Sequence, residues 1–280
     1  MRAMTWGLTG VLMCAAASAR AQESPYFVTY DHYLEEQGNL EVEAAVTTGL
    51  PKHGQPAYTA PWLEIEYGAT GWWTTELYLE GVTSGDGSAF TGWRLENRFR
   101  PLKSEHLITP VLYVEYENVN EASRIQKEIV SRGPIEFEPI DELAREHAHE
   151  IEAKLILSSS LGAWNVAENF TVEKNLSEDE GLEFGYSIGT SRMLGSLARA
   201  DRCRLCAENF AVGLELYGGL GTNHDFGVRG ARHYLAPVVS WRIGPASTIK
   251  ASTAFGLTSA SDRALIRVGW SREFATRRPR

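Results

Sequence analysis

Beyond residue 21 the sequence has no run approaching eighteen apolar residues, so no helix of this chain is expected to cross a membrane. Cysteine is nearly absent: Cys14, Cys203 and Cys206 are the three in 280 residues. That is too few for a four-thiolate zinc site, and no His follows Cys206 to complete a haem-attachment Cys-x-x-Cys-His. Positive charge is short as well, with 27 Lys+Arg against 36 Asp+Glu and a net charge of −9. This balance argues against nucleic acid as a partner, which needs a basic patch, and gives no support to peripheral binding at an anionic lipid surface. There is no His-Glu-x-x-His helix and no phosphate loop. The sequence is also read as lacking a Gly-x-Ser-x-Gly nucleophile elbow, and the chain therefore as a non-enzyme without a cofactor.

What is present starts with residues 1–21. Met1-Arg2, an apolar stretch from Trp6 to Ala17, and Ala19-Arg20-Ala21 are the charged, apolar and small-x-small parts of a secretory signal. Cleavage is expected after Ala21, because roughly a dozen apolar residues cannot span a hydrocarbon core of about 30 Å. Removal takes Arg2 and Arg20 and no acid, which moves the net charge from −9 to −11. Cys14 leaves with the signal. Cys203 and Cys206 remain, an even pair suited to a local disulfide in an oxidising compartment.

The rest of the chain repeats with period two. Leu40-Glu41-Val42-Glu43, Leu63-Glu64-Ile65-Glu66, Leu112-Tyr113-Val114-Glu115-Tyr116-Glu117 and Ile266-Arg267-Val268 each alternate apolar with polar. Such alternation means strands with one apolar and one polar face. About twelve segments carry it, near 39–48, 61–68, 71–83, 89–100, 107–118, 147–160, 163–174, 181–192, 208–220, 233–243, 247–258 and 263–274. Most run ten to fourteen residues, longer than soluble strands and long enough for tilted membrane strands of about nine to eleven. The odd connections 49–60, 119–146 and 221–232 are long, while the even ones at 68–70, 161–162 and 244–246 are tight. That is the pattern of outer loops and periplasmic turns, with 193–207 as the exception. The expected fold class is therefore all-β: a single antiparallel up-and-down transmembrane β-barrel of about twelve strands. It spans 39–274, with 22–38 as a periplasmic lead-in or short extra strand and 275–280 as a tail. Ile125 and Ile129, four apart in Glu121–Arg132, suit a short helix over the barrel mouth.

In a membrane barrel the polar face lines the lumen. That face carries Glu41, Glu43, Glu64, Glu66, Glu76, Glu80, Arg94, Glu96, Arg98, Glu115, Glu117, Glu150, Glu152, Lys154, Glu183, Glu215, Arg242, Lys250 and Arg267. The first three strands offer only acids, so barrel closure brings Arg267 towards Glu41 and Glu43, and strand four sets Arg94 and Arg98 against Glu76 and Glu80. Such a lumen is either packed with salt bridges or shaped for a permeating cation or neutral solute. Aromatics near strand ends, namely Trp62, Tyr67, Trp73, Phe99, Trp164, Tyr186, Trp241 and Trp270, suit girdles at the bilayer interfaces. Asn97 and Glu168 fall on the lipid face, which requires Glu168 to lie near an interface or mark a bulge. His147 and His149 share one strand face; a polar cap at the strand end is the expected reading, with no metal bound.

Trp62-Leu63-Glu64-Ile65-Glu66-Tyr67-Gly68, then Thr74-Thr75-Glu76-Leu77, make a strand, tight turn and strand with inward glutamates. With the final strand Ile266 to Phe274, they resemble the uncharacterised outer-membrane barrels of Gram-negative bacteria. The likeness extends to the transporter group associated with phenol and other aromatic-degradation pathways. It covers most of the mature chain and carries no catalytic residues. It implies outer-membrane lipid as surroundings, the assembly machinery as a partner through the strand ending at Phe274, and a small solute as cargo. Residues 275–280 depart from it, because the assembly signal of such barrels ends at the aromatic. The alternatives are a sealed structural or surface-interaction barrel, an outer-membrane lipid hydrolase and a soluble β-sandwich.

Overall fold

A computed structural model describes residues 25–52, 54–130, 139–179, 181–195, 198 and 200–275. The signal segment 1–21 and residues 276–280 of the tail lie outside the described residues. The strands are β1 (Asn39–Leu50), β2 (Tyr58–Thr70), β3 (Trp73–Ser84), β4 (Gly87–Phe99), β5 (Thr109–Asn120) and β6 (His147–Leu161). They continue as β7 (Trp164–Asn175), β8 (Glu183–Met193), β9 (Phe210–Thr222), β10 (His233–Gly244), β11 (Ser247–Gly256) and β12 (Ala264–Ala275). Each pairs antiparallel with its sequence neighbour, and β12 returns to pair with β1 from Leu40↔Phe274 to Leu50↔Ala264. The sheet is a closed barrel of twelve strands, so no edge is left unpaired. A two-sheet sandwich is excluded by that closure.

Burial alternates with the sequence. Leu63, Leu77, Leu79, Leu95, Val114 and Ile151 lie exposed on the outer face while the glutamates between them are covered. Aromatic groups collect at both rims. At the rim where β1 begins and β12 ends, here the terminal rim, Trp73 stacks on Phe99 at 6.1 Å and Trp241 on Phe210 at 5.8 Å. At the opposite rim Trp93 packs on Tyr116 and Phe184 on Phe226. Trp62 departs from expectation: it belongs to the inward set of β2 and meets Phe27 edge-on at 6.5 Å. Asn97 stays on the outer face and accepts from Trp73 Nε1 at 3.0 Å within the rim cluster. Glu168 is exposed on the outer face between Leu157 and Ile188, in a register without a bulge, four residues in from rim residue Trp164.

Connections alternate less cleanly than the sequence pattern suggests. The β3–β4 turn at the far rim has only Gly85 and Asp86, and residues 100–108 form a long connection at the terminal rim. The 194–209 connection is long too and is clipped locally: Cys203 and Cys206 are bonded, and Trp241 Nε1 donates to the Arg204 carbonyl at 2.8 Å. In the β5–β6 loop a short 3₁₀ turn, Glu121–Ile125, and a four-residue helix, Ile140–Leu143, replace the expected single helix. Ile125 and Ile140 turn inwards into a cluster with Tyr58, Val82, Tyr217 and Leu265.

The largest departure concerns residues 25–38. They run inside the barrel from the terminal rim instead of forming a lead-in beside it. Gly68 permits the entry: the Gly38 N–H donates to its carbonyl at 2.8 Å, and a Cβ there would meet the Glu36 carbonyl oxygen at 2.2 Å.

Candidate functional site: the lumen

The register places all the expected lumen residues on the inward face, and it pairs them differently from expectation in one respect. Arg94 meets Glu80 at 2.8 Å and Glu115 at 3.1 Å, and Arg98 contacts Glu66 at 2.7 Å, Glu96 at 3.1 Å and Glu76. Lys154 meets Glu152 at 2.7 Å, and Arg242 meets Glu273 at 3.3 Å. Arg267, however, does not join the Glu41–Glu43 wall. The β1–β12 register sets it opposite Thr47, and its guanidinium pairs with Glu128 and donates to Tyr217 Oη at 2.7 Å. Glu43 receives Lys250 instead, at 2.7 Å.

Two non-strand segments enter this charged tube. From the terminal rim, residues 25–38 are held mainly through their backbone. The Glu215 carboxylate accepts from the N–H groups of Phe27 (3.2 Å), Val28 (2.9 Å) and Thr29 (2.7 Å). Asn169 clips Tyr30 from both sides, accepting from its N–H at 2.7 Å and donating to its carbonyl at 2.8 Å. The Tyr30 hydroxyl donates to Glu96 at 2.9 Å, and its ring faces the Arg98 and Lys154 cations. His32 shares a hydrogen bond with Ser158 at 2.7 Å. Gly189 leaves room for the Tyr26 ring, which would stand 2.8 Å from a Cβ at that position.

Burial raises the Asp31 carboxyl to about 6 against a hydrogen bond from the Tyr33 N–H, and raises Glu35 to about 7 with repulsion from Glu273 adding to it. It holds His32 below its ordinary value despite the nearby Glu105.

From the opposite rim the β5–β6 loop inserts Lys127 among Glu117 (3.4 Å), Glu150 and Glu173 (2.8 Å). Arg232 donates to the Lys127 carbonyl at 2.8 Å and Tyr58 to that of Ile125 at 3.2 Å. Between the two segments remains a cavity of about 220 Å³, lined by Phe27, Tyr30, Trp62, Glu64, Tyr78 and the loop from Gln126 to Val130, among others.

Sequence reasoning missed Glu173, Lys127, Glu128, Glu273 and the whole inserted segment. Glu173 was legible in principle, since Val172-Glu173-Lys174 continues the alternation of β7. Both tight glutamate groups, Glu64/Glu66/Glu76 and Glu117/Glu150/Glu173, contain members paired to the chain's own Arg98 or Lys127. His149 stacks on Tyr116 and shares a 2.8 Å hydrogen bond with its hydroxyl. One correction concerns enzyme motifs: Gly185-Tyr186-Ser187-Ile188-Gly189 does match Gly-x-Ser-x-Gly. It lies within β8 rather than at a strand-to-helix elbow, and buried Ser187 donates to Asn169 at 3.1 Å. The geometry a nucleophile needs is therefore missing there.

Fold and lumen define a transmembrane-type β-barrel with an apolar exterior and a charged interior. No family model matches the chain, and no curated protein matches it. Among solved structures it is similar to an outer membrane channel from Pseudomonas putida F1 of the COG4313 group. That likeness has 10% identity and a TM-score of 0.53, over 85% of this chain and 96% of that one. The KdgM porin is similar at 8% identity and a TM-score of 0.53, over 84% and 99%. The NanC porin follows at 12% identity and a TM-score of 0.50, over 83% and 98%. At such identities the likeness establishes the shared barrel fold.

Proposed function

We propose that this chain is an outer-membrane channel of a Gram-negative bacterium, passing small solutes passively and closed in this conformation by its own two inserted segments. The observation that carries the reading is the lumen wall. It bears charge along its length, whereas what fills it is chain outside the strands, docked largely by polar contacts around a residual cavity. The excess of acids over bases on the wall favours cations and neutral polar solutes over anions. The outer apolar belt suits outer-membrane lipid, and β12 with Phe274 suits recognition by the assembly machinery. The channels and porins of similar fold agree with this assignment. Planar bilayers test it: deletion of residues 22–36 is expected to give larger conductance steps than the full chain, with cation-selective reversal potentials. Silence from both proteins, each still heat-modifiable on gels, overturns it in favour of a second reading, a permanently sealed structural barrel. That second reading rests on the density of lumen ion pairs.

A further inference from the structure

We propose that the lumen cavity binds a small organic ammonium cation, with the Glu64 carboxylate as counter-ion and the Trp62 ring as apolar wall. This deepens the channel reading and rests on it for the route by which a solute arrives.

Charge accounting around the cavity is the first ground. Each base that lines it is already committed: Arg94 to Glu80 and Glu115, Lys154 to Glu152, Lys250 to Glu43, Lys127 to its three glutamates and Arg267 to Glu128. Glu64 also lines the cavity, yet among the described residues it has no ion pair and no hydrogen bond. Its cross-strand neighbours are Glu43 on β1 and Tyr78 on β3. Its carboxylate also lies within 4.8 Å of those of Glu66 and Glu76, which Arg98 bridges, and the nearest other base, Lys250, is bonded to Glu43. Acids therefore outnumber bases around Glu64, and such a group attracts a further positive charge.

The second ground is the shape and chemistry of the wall, which chooses among cations. Trp62 lies two residues from Glu64 on the same strand face, with Phe27 edge-on against it. Elsewhere in this lumen aromatic rings already face cations, Lys154 at 4.0 Å over Tyr113 and Arg94 at 4.4 Å over Tyr78. Ring faces beside a carboxylate suit an ammonium carrying carbon, which gains cation–π attraction and apolar contact together. A hydrated metal ion gains only the charge, a neutral solute leaves Glu64 uncompensated, and an anion is repelled. A cavity of about 220 Å³ is large enough, since an apolar cavity of roughly 150 Å³ holds benzene.

Tetramethylammonium chloride is the probe, equilibrated by dialysis against the detergent-solubilised full chain, with tert-butanol as the uncharged control. Saturable binding of the cation and none of the alcohol is expected. Glu64→Gln should weaken binding at least tenfold and Trp62→Leu several-fold, while Trp62→Phe keeps most of it. No saturable binding, or equal affinity in Glu64→Gln, overturns the proposal. Conductance in bilayers is scored separately, so an active channel that ignores tetramethylammonium defeats this inference alone. Absence of conductance in both the full and the truncated chain defeats the channel reading beneath it.

Discussion

Replacing Glu215 with Gln tests whether the lumen grips the inserted segment by its backbone. The Glu215 side chain is fully buried, and one carboxylate oxygen accepts from Val28 and Thr29 at 2.9 and 2.7 Å while the other accepts from Phe27 at 3.2 Å. Glutamine keeps the volume and one accepting oxygen. Its amide NH2 then opposes the Phe27 N–H, donor against donor. One charge-assisted bond of about 1.5–3 kcal/mol is lost, and two more weaken to roughly half as they become neutral. Together these cost the docked state about 3–6 kcal/mol, or roughly two to four powers of ten in the docked-to-free ratio. The loss is local, because Asn169 still holds Tyr30 on both sides. Amide hydrogen exchange reads it directly. Residues 27–29 should exchange at least about a hundredfold faster in Glu215→Gln, with residues 30–33 changed far less and the strands unchanged. Equal protection of residues 27–29 in both proteins refutes the backbone-grip account.

Two further outcomes follow from the same geometry. Docking raises Asp31 from 3.8 to about 6 and Glu35 from 4.5 to about 7, so the docked segment binds more protons than the free one. Docking is then strongest below about pH 4 and weakens as pH climbs towards 7, by a few kcal/mol over the whole span. Exchange protection of residues 25–35 should fall between pH 5 and pH 8 once corrected for the intrinsic rate, and Asp31→Asn with Glu35→Gln should flatten the trend; the opposite slope contradicts it. Separately, Glu168 is an exposed acid among outward apolar residues, so Glu168→Leu should stabilise the barrel in lipid by about 1 kcal/mol in urea titrations. A destabilised variant would show that Glu168 has a partner outside this chain.

The barrel was legible because period two and strand length are both local properties of the chain. Leu63-Glu64-Ile65-Glu66 states which side chains share a face, and twelve such stretches of membrane length leave little choice of architecture. Register across a seam is not local, and this is where the expectation for Arg267 failed. Proximity of β12 to β1 was correctly expected, yet the paired positions put Thr47, not Glu43, opposite the guanidinium. Residues 25–38 were illegible for a related reason. Tyr26, Tyr30 and Tyr33 are spaced as on a helix, yet the segment forms neither helix nor strand, because Glu215 and Asn169 of the barrel wall take up its backbone groups. Their trace in the sequence is indirect: glycine at lumen-facing Gly189, where the Tyr26 ring lies against the wall.

The same limit explains why the lumen charges did not decide between an open and a filled barrel. Leu63-Glu64-Ile65 and Leu214-Glu215-Leu216 are equivalent as sequence, each an inward glutamate between outward apolar residues. In the structure Glu215 receives three backbone N–H groups of the inserted segment, while Glu64 lines the cavity with no ion pair or hydrogen bond among the described residues. One glutamate grips the inserted segment, and the other lines the cavity that the proposed reading gives to a solute. What separates them is the path of a peptide that makes no regular structure, so the distinction arises only from tertiary contacts. The proposed function rests on that difference in occupancy. The two variants Glu215→Gln and Glu64→Gln therefore probe opposite states of the same tube: the first should loosen its closure, and the second should remove a binding group while leaving the closure intact.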